Sequence, residues 1–258
     1  MSQTDYSALD RPEILSFVFY PRKDSTKTPP NARDFLVSVD RDVSIFCRFH
    51  VHSQSSPSII YFHGNGEVVS DYDYIAPMYN ELGLNLFVAD YRGYGASQGR
   101  PTFSNTVSDA PIIFRTFSDF LQQEHYSSDI FVMGRSLGSI SAIEIAYRYQ
   151  EQIKGLIIES GFAALINLLS HLGFPAQLLD VEDADFPNLA KIRTITRPTL
   201  IMHGEHDTLI PPSEGKALFH NAATKDKHLV IIPKADHNDI MLVGMERYSQ
   251  AIKEFIFT

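Results

Sequence analysis

The sequence predicts an α/β fold, a mainly parallel sheet with helices on both faces. Short, nearly continuous apolar runs recur through the chain, which is how strands buried on both faces of a parallel sheet read. From residue 104 onward these runs alternate with stretches of helical period, the order that builds parallel sheets covered on both sides. No internal repeat or low-complexity tract breaks the alternation, and "TKTPP" is too short to be an interdomain linker. One domain over residues 1–258 is expected.

In chain order, β-rich runs come first: "ILSFVFY" (14–20), "DFLVSV" (34–39) and "VSIFCRFHV" (43–51), the first two parted by the loop-like "PRKDSTKTPPN". Their short connections predict an antiparallel edge. "SIIYF" (58–62) and "LNLFVAD" (84–90) then read as buried strands. Residues 104–124 predict an amphipathic helix, 129–134 a strand, 136–150 a helix and 155–160 a strand. Strands at 198–204 and 228–233 follow, with helices near 214–222 and 239–257. Residues 162–190 lie between two strand signals, exceed an ordinary connection and end in an acidic segment containing proline, so they are a candidate cap.

Composition narrows the function classes. With 44% hydrophobic and 21% charged residues the chain has the balance of a globular protein. The formal charge of -9 and the absence of a basic stripe argue against nucleic acid as a partner. Cys47 is a solitary thiol, unable to form an internal disulfide. The first residues carry no basic and apolar pattern of a secretory signal, and nothing approaches the ~18 apolar residues of a membrane span. A cytoplasmic protein is expected, its first dozen residues lying loosely on the surface.

Candidate chemistry centres on "VMGRSLGSIS" (132–141). Gly134 and Gly138 bracket Ser136 in the G-x-S-x-G spacing, between a strand and a helix. A Cβ at either glycine would crowd the turn, so the spacing predicts a sharp elbow that exposes the Ser136 hydroxyl. Unpaired N–H groups of the following helix favour a developing oxyanion above it. The plainer alternative is a serine that caps the helix.

A serine nucleophile needs a base and an acid. His237, in "PKADHNDI" after the strand 228–233, sits on a loop before the last helix and is the candidate base. His63, His203 and His206 lie at strand ends and read as structural; His125, His171, His220 and His228 read as ordinary helix, cap or surface residues. Asp207, in "MHGEHDTLIPP", follows a strand and precedes two stiffening prolines, which suits a carboxylate that holds an imidazole. Glu159, one strand earlier, is its rival, while Glu205 points elsewhere; Asp236 and Asp239 suit turn formation. "YFHGNGE" (61–67) supplies a side-chain-poor bend, and the backbone N–H groups of Asn65 and Leu137 are the candidate oxyanion donors. In the cap, Phe162, Leu165, Leu169, Leu172 and Phe174 fall at helical spacing and either line a substrate entrance or pack on the domain. A metal site is not expected, because His203-Gly204-Glu205-His206 lacks the helical two-histidine spacing of a zinc hydrolase.

Taken in order, "YFHGNG", "DYRGYGAS" (90–97), "GRSLG", "HGEHDTLIP" and "ADHND" resemble the α/β-hydrolase superfamily. Within it they are similar to small serine hydrolases related to depalmitoylating α/β-hydrolase-domain proteins and their bacterial relatives. The resemblance implies an eight-stranded, mostly parallel sheet with helices on both faces and a small cap insertion. It also implies a Ser-Asp-His order, falling on Ser136, Asp207 and His237, and acyl-ester or thioester hydrolysis without a metal or dissociable cofactor. "DYRGYGAS" is a landmark expected to shape a loop. The chain lacks the N-terminal cysteine cluster of lipidated members, and its cap differs, so neither membrane residence nor acyl preference carries over. The function read here is a serine hydrolase acting on a small-molecule acyl ester or thioester. An acylaminoacyl-type peptidase and a non-catalytic binding module on the same fold are the alternatives.

Overall fold

The computed structural model describes residues 6–175 and 188–258. Eight strands form one sheet: β1 (Ala32–Asp40), β2 (Val43–His50), β3 (Ser58–Phe62), β4 (Asn85–Ala89), β5 (Ile130–Arg135), β6 (Gly155–Glu159), β7 (Thr199–Gly204) and β8 (Lys227–Ile232). Their spatial order is β1-β2-β4-β3-β5-β6-β7-β8. β1 and β2 pair antiparallel, as do β2 and β4, and every pairing from β4 to β8 is parallel.

Strand order places the site. The chain leaves β3 for β4 on one side and later returns to place β5 on its other side. Connections therefore diverge beyond the carboxyl ends of β3 and β5, the place where open α/β sheets carry their sites.

The two-residue period of the strands sorts side chains to opposite faces. Ile60 and Phe62 of β3 join a core cluster with Phe117 of α3 (Phe103–Gln123) and Ile143 of α4 (Ser139–Arg148). Ile59 and Tyr61 join another, with Tyr79 of α2 (Ala76–Glu81) and Tyr248 and Ile252 of α8 (Ile240–Phe257). Helices thus cover both faces, and all five residues of β3, β4 and β6 are buried. α3 starts at a reciprocal cap: Asn105 N–H donates to Thr102 Oγ1 (3.1 Å), and Thr102 N–H donates to Asn105 Oδ1 (2.9 Å).

The N-terminal expectations are corrected. Residues 14–20, read as a β-rich run, overlap helix α1 (Pro12–Val18). Pro12 occupies the first turn with Glu13 beside it, both favourable there, and the apolar residues 14, 17 and 18 recur at helical spacing. Residues 6–11 are not loose either: Tyr6 and Leu9 are buried in the core, and Asp10 Oδ1 accepts from Phe103 N–H (2.8 Å) at the start of α3; residues 1–5 lie outside the described residues.

Between β6 and β7 lie α5 (Leu165–His171) and α6 (Asn188–Ile192); residues 176–187 of the candidate cap lie outside the described residues. Helix α7 (Pro212–Asn221) lies between β7 and β8. Among the described residues no helix is long and apolar enough to cross a membrane.

Candidate active site

Strand β5 ends at Arg135, and Ser136 turns the chain at φ 52°, a left-handed conformation that few non-glycine residues adopt. A 3-10 turn over Ser136–Gly138 leads directly into α4. The glycines answer to close approach: a Cβ on Gly138 would overlap the backbone carbonyl of Phe62 in β3, and one on Gly134 would overlap that of Gly138. Ser136 is held at the carboxyl end of β5, yet it is only 6% exposed rather than freely accessible as the elbow suggested.

His237 comes from the loop between β8 and α8, and Asp207 from the loop after β7. His237 Nδ1 is 2.7 Å from Asp207 Oδ2 and its Nε2 is 3.1 Å from Ser136 Oγ. With an ionised carboxylate as acceptor, Nδ1 carries the proton and Nε2 accepts from the serine hydroxyl. This is the geometry in which imidazole can take the hydroxyl proton as oxygen attacks an electrophile.

Burial alone would raise the Asp207 carboxyl, but hydrogen bonds from His203, His237 and the Ile210 N–H hold it well below the usual carboxylate range. Leu209 N–H (3.1 Å) and Ile210 N–H (2.7 Å) both donate to its Oδ1. His203, in β7, is fully buried; its Nε2 donates to Ile210 O (2.8 Å) and lies 3.3 Å from Asp207 Oδ2. Glu159, the rival acid, is engaged elsewhere, accepting from Arg135 Nε (3.1 Å), Tyr248 OH (2.7 Å) and Tyr61 OH (3.3 Å). Burial pushes its carboxyl up, opposed by Arg135 and the Tyr248 hydroxyl.

After β3, the turn at Gly64–Gly66 faces the elbow strand. The Asn65 side chain is tied to the N-terminal segment: Oδ1 accepts from Tyr20 N–H (3.0 Å) and Tyr94 OH (2.6 Å), and Nδ2 donates to Val18 O. The "DYRGYGAS" residues shape this loop. Tyr91 OH donates to His63 O (2.6 Å), Asp90 Oδ1 accepts from Val69 N–H (2.9 Å), and Arg92 forms a forked pair with Asp109 (2.7 and 2.8 Å).

Sequence reasoning passed over several supporting groups. Asp236 Oδ1 accepts from both His237 N–H (2.7 Å) and Thr208 N–H (3.1 Å), so the turn residue beside the histidine also ties its loop to that of Asp207. Arg135 and Glu67 lie within "GRSLG" and "YFHGNGE", but nothing in their spacing marks them. Of the residues in the candidate cap segment, Phe162, Leu165 and Leu169 are buried in the core cluster. Phe174 packs on Phe17 of α1 at 5.0 Å between ring centroids, and Leu172 is 37% exposed.

A family model described as serine aminopeptidase, S33, matches residues 53–189 and 172–241. Alpha/beta hydrolase domain-containing protein 17B of Xenopus tropicalis is 30% identical over 230 residues, covering 86% of this chain and 74% of that protein. The chain belongs to the α/β-hydrolase superfamily. Protein bem46 of Schizosaccharomyces pombe is 28% identical to this α/β-hydrolase over 79% of its length and 68% of the relative's. Among solved structures, the Pyrococcus furiosus esterase Pf2001 superposes with a TM-score of 0.75 at 20% identity, covering 92% of this hydrolase and 98% of that chain. Paleococcus ferrophilus monoacylglycerol lipase does so with a TM-score of 0.61 at 20% identity, over 78% and 95% of the two chains. At such identities the structures attest the shared fold.

Proposed function

We propose that this α/β-hydrolase is a serine hydrolase that cleaves carboxylic ester or thioester bonds through an acyl-enzyme on Ser136. The observation that carries the reading is the continuous chain from Asp207 Oδ2 to His237 (2.7 Å) and from His237 to Ser136 Oγ (3.1 Å). Ser136 Oγ attacks the substrate carbonyl while His237 Nε2 takes its proton; Asp207 stabilises the imidazolium that results. The N–H groups of Asn65 and Leu137 receive the tetrahedral oxyanion, Leu137 lying in the first turn after the elbow, where N–H groups have no intrahelical acceptor. His237 then returns the proton to the departing alcohol or thiol. Water repeats the sequence on the acyl-enzyme, giving its proton to His237 and releasing the acid and Ser136.

The surface of the cap at Leu172 and Phe174 is the proposed apolar approach for the acyl group, with Phe162, Leu165 and Leu169 forming the packed layer behind it. The serine aminopeptidase description of the matching family model favours amide cleavage as the second reading. Both proceed through the same acyl-enzyme, so a panel of p-nitrophenyl esters, thioesters and aminoacyl amides separates them by relative kcat/KM. The nucleophile itself is tested with Ser136→Ala: ester turnover and fluorophosphonate labelling are expected to disappear, while Tm stays within a few degrees of wild type. Labelling that persists in this variant sinks the assignment.

A further inference from the structure

Arg135, the residue between Gly134 and the nucleophile, is a buried guanidinium whose donors reach three other segments of the chain. Nε donates to Glu159 Oε1 (3.1 Å), at the end of β6. Nη1 donates to Glu67 Oε1, and Glu67 Oε2 in turn accepts from Gly64 N–H (2.7 Å) and Tyr72 OH (2.8 Å). Nη2 donates to the backbone carbonyl of His237 (2.8 Å) and to Asn238 Oδ1 (3.2 Å). A Cβ on Gly64 would overlap Nη1, so the turn after β3 is shaped to let the guanidinium pass.

We infer that Arg135 is a positioning residue for the hydrolysis proposed above: it holds the His237 loop and the 64–67 turn in register with Ser136. The inference rests on the serine-hydrolase reading. Its physical basis is that each group in the reaction rides on a different connection, and the bonds of one planar, multi-donor cation set the distances between those connections. The carbonyl that Arg135 holds belongs to His237 itself, so a shift there moves the imidazole from its 3.1 Å contact with Ser136 Oγ. Through Glu67 the same cation fixes Gly64, the residue before the proposed oxyanion donor Asn65. Fold stability alone gives little reason for this arrangement, since a buried ion cluster contributes no more than well-packed apolar side chains of like volume. Lysine cannot replace the fork, because its compact ammonium lacks the planar spread of donors.

The test compares wild type with Arg135→Lys and Arg135→Met, using p-nitrophenyl ester kinetics and fluorophosphonate as an active-site titrant and rate probe. If the arginine positions the machinery, each folded variant titrates to one site per chain, but kcat and the labelling rate constant per site fall by about 10²-fold, with KM little changed. A merely structural arginine gives a different pattern, in which the titratable fraction falls while each remaining site reacts at the wild-type rate. That pattern, or a per-site rate within a few-fold of wild type in either variant, overturns the inference. Should Arg135→Met fail to fold, Arg135→Lys, which keeps the positive charge between the two carboxylates, decides between the same outcomes. Wild-type protein that does not label at all removes the serine-hydrolase reading and this inference with it, whereas labelled wild type with unimpaired variants removes the inference alone.

Discussion

Asp207 shows what a single residue takes from its surroundings. Its Oδ2 faces His237 and His203, and its Oδ1 receives two backbone N–H groups, so every donor around it favours the ionised form. A carboxyl held low in the folded state contributes stability above its unfolded pKa of about 3.9, and that contribution is lost as pH falls toward the folded value. Asp207→Asn is therefore expected to destabilise the protein by about 2 kcal/mol at pH 7. The deficit relative to wild type should shrink below about pH 4, where the wild-type carboxylate begins to lose its advantage; urea unfolding at the two pH values checks this. Ester turnover should fall by about 10²–10⁴-fold, because an amide can present its NH₂ to the ring and spoil the tautomer. Ser136, Asp207 and His237 could be singled out in the sequence because each follows closely on a strong strand signal. His203 was not singled out as a partner of Asp207, since a histidine inside a buried strand reads the same whether or not it bonds across to the following loop.

At the scale of the element, the elbow is fixed by backbone meeting backbone. The room for Gly138 is set by the carbonyl of Phe62 in the neighbouring strand, which has no flexible end that could swing aside. Gly138→Ala is expected to cost about 3 kcal/mol or more, forcing α4 away from β3. Gly66→Ala makes the contrast: at φ 77° with open space around it, the added methyl meets only local backbone strain of about 1–2 kcal/mol. Comparing the two variants by thermal unfolding measures crowding against strain. Elements were legible where burial is symmetric: β3 to β7 are buried along their whole length and read as apolar runs because helices cover the sheet on both sides, while β8, the edge strand, is only partly buried. Helix α1 was misread because seven residues rich in Ile, Phe and Val fit either period, and only docking on the core decides. The six-residue α2 gave too short a pattern to register.

Across the whole molecule, the N-terminal segment braces the proposed site. Tyr6, Leu9, Ile14 and Phe19 are buried in the main core, and residues 18–20 supply partners to the Asn65 side chain beside the proposed oxyanion site. Removing residues 1–20 exposes the surfaces these side chains cover, each worth about 1.5–3 kcal/mol. The truncated protein is expected to unfold at lower urea concentration and to turn over esters more slowly per titrated site, which unfolding curves and burst kinetics would resolve. The sequence by itself determined the alternation of strands and helices, the turn at Ser136 and the loops that carry Asp207 and His237, because periodicity and glycine spacing are local properties of the chain. Only the tertiary structure decided that the imidazole meets a hydroxyl 101 positions away, that Asp207 rather than Glu159 holds it, and that Arg135 ties three connections together. Those choices depend on how strands are ordered in the sheet and which loop ends fall side by side, and no local pattern encodes that placement.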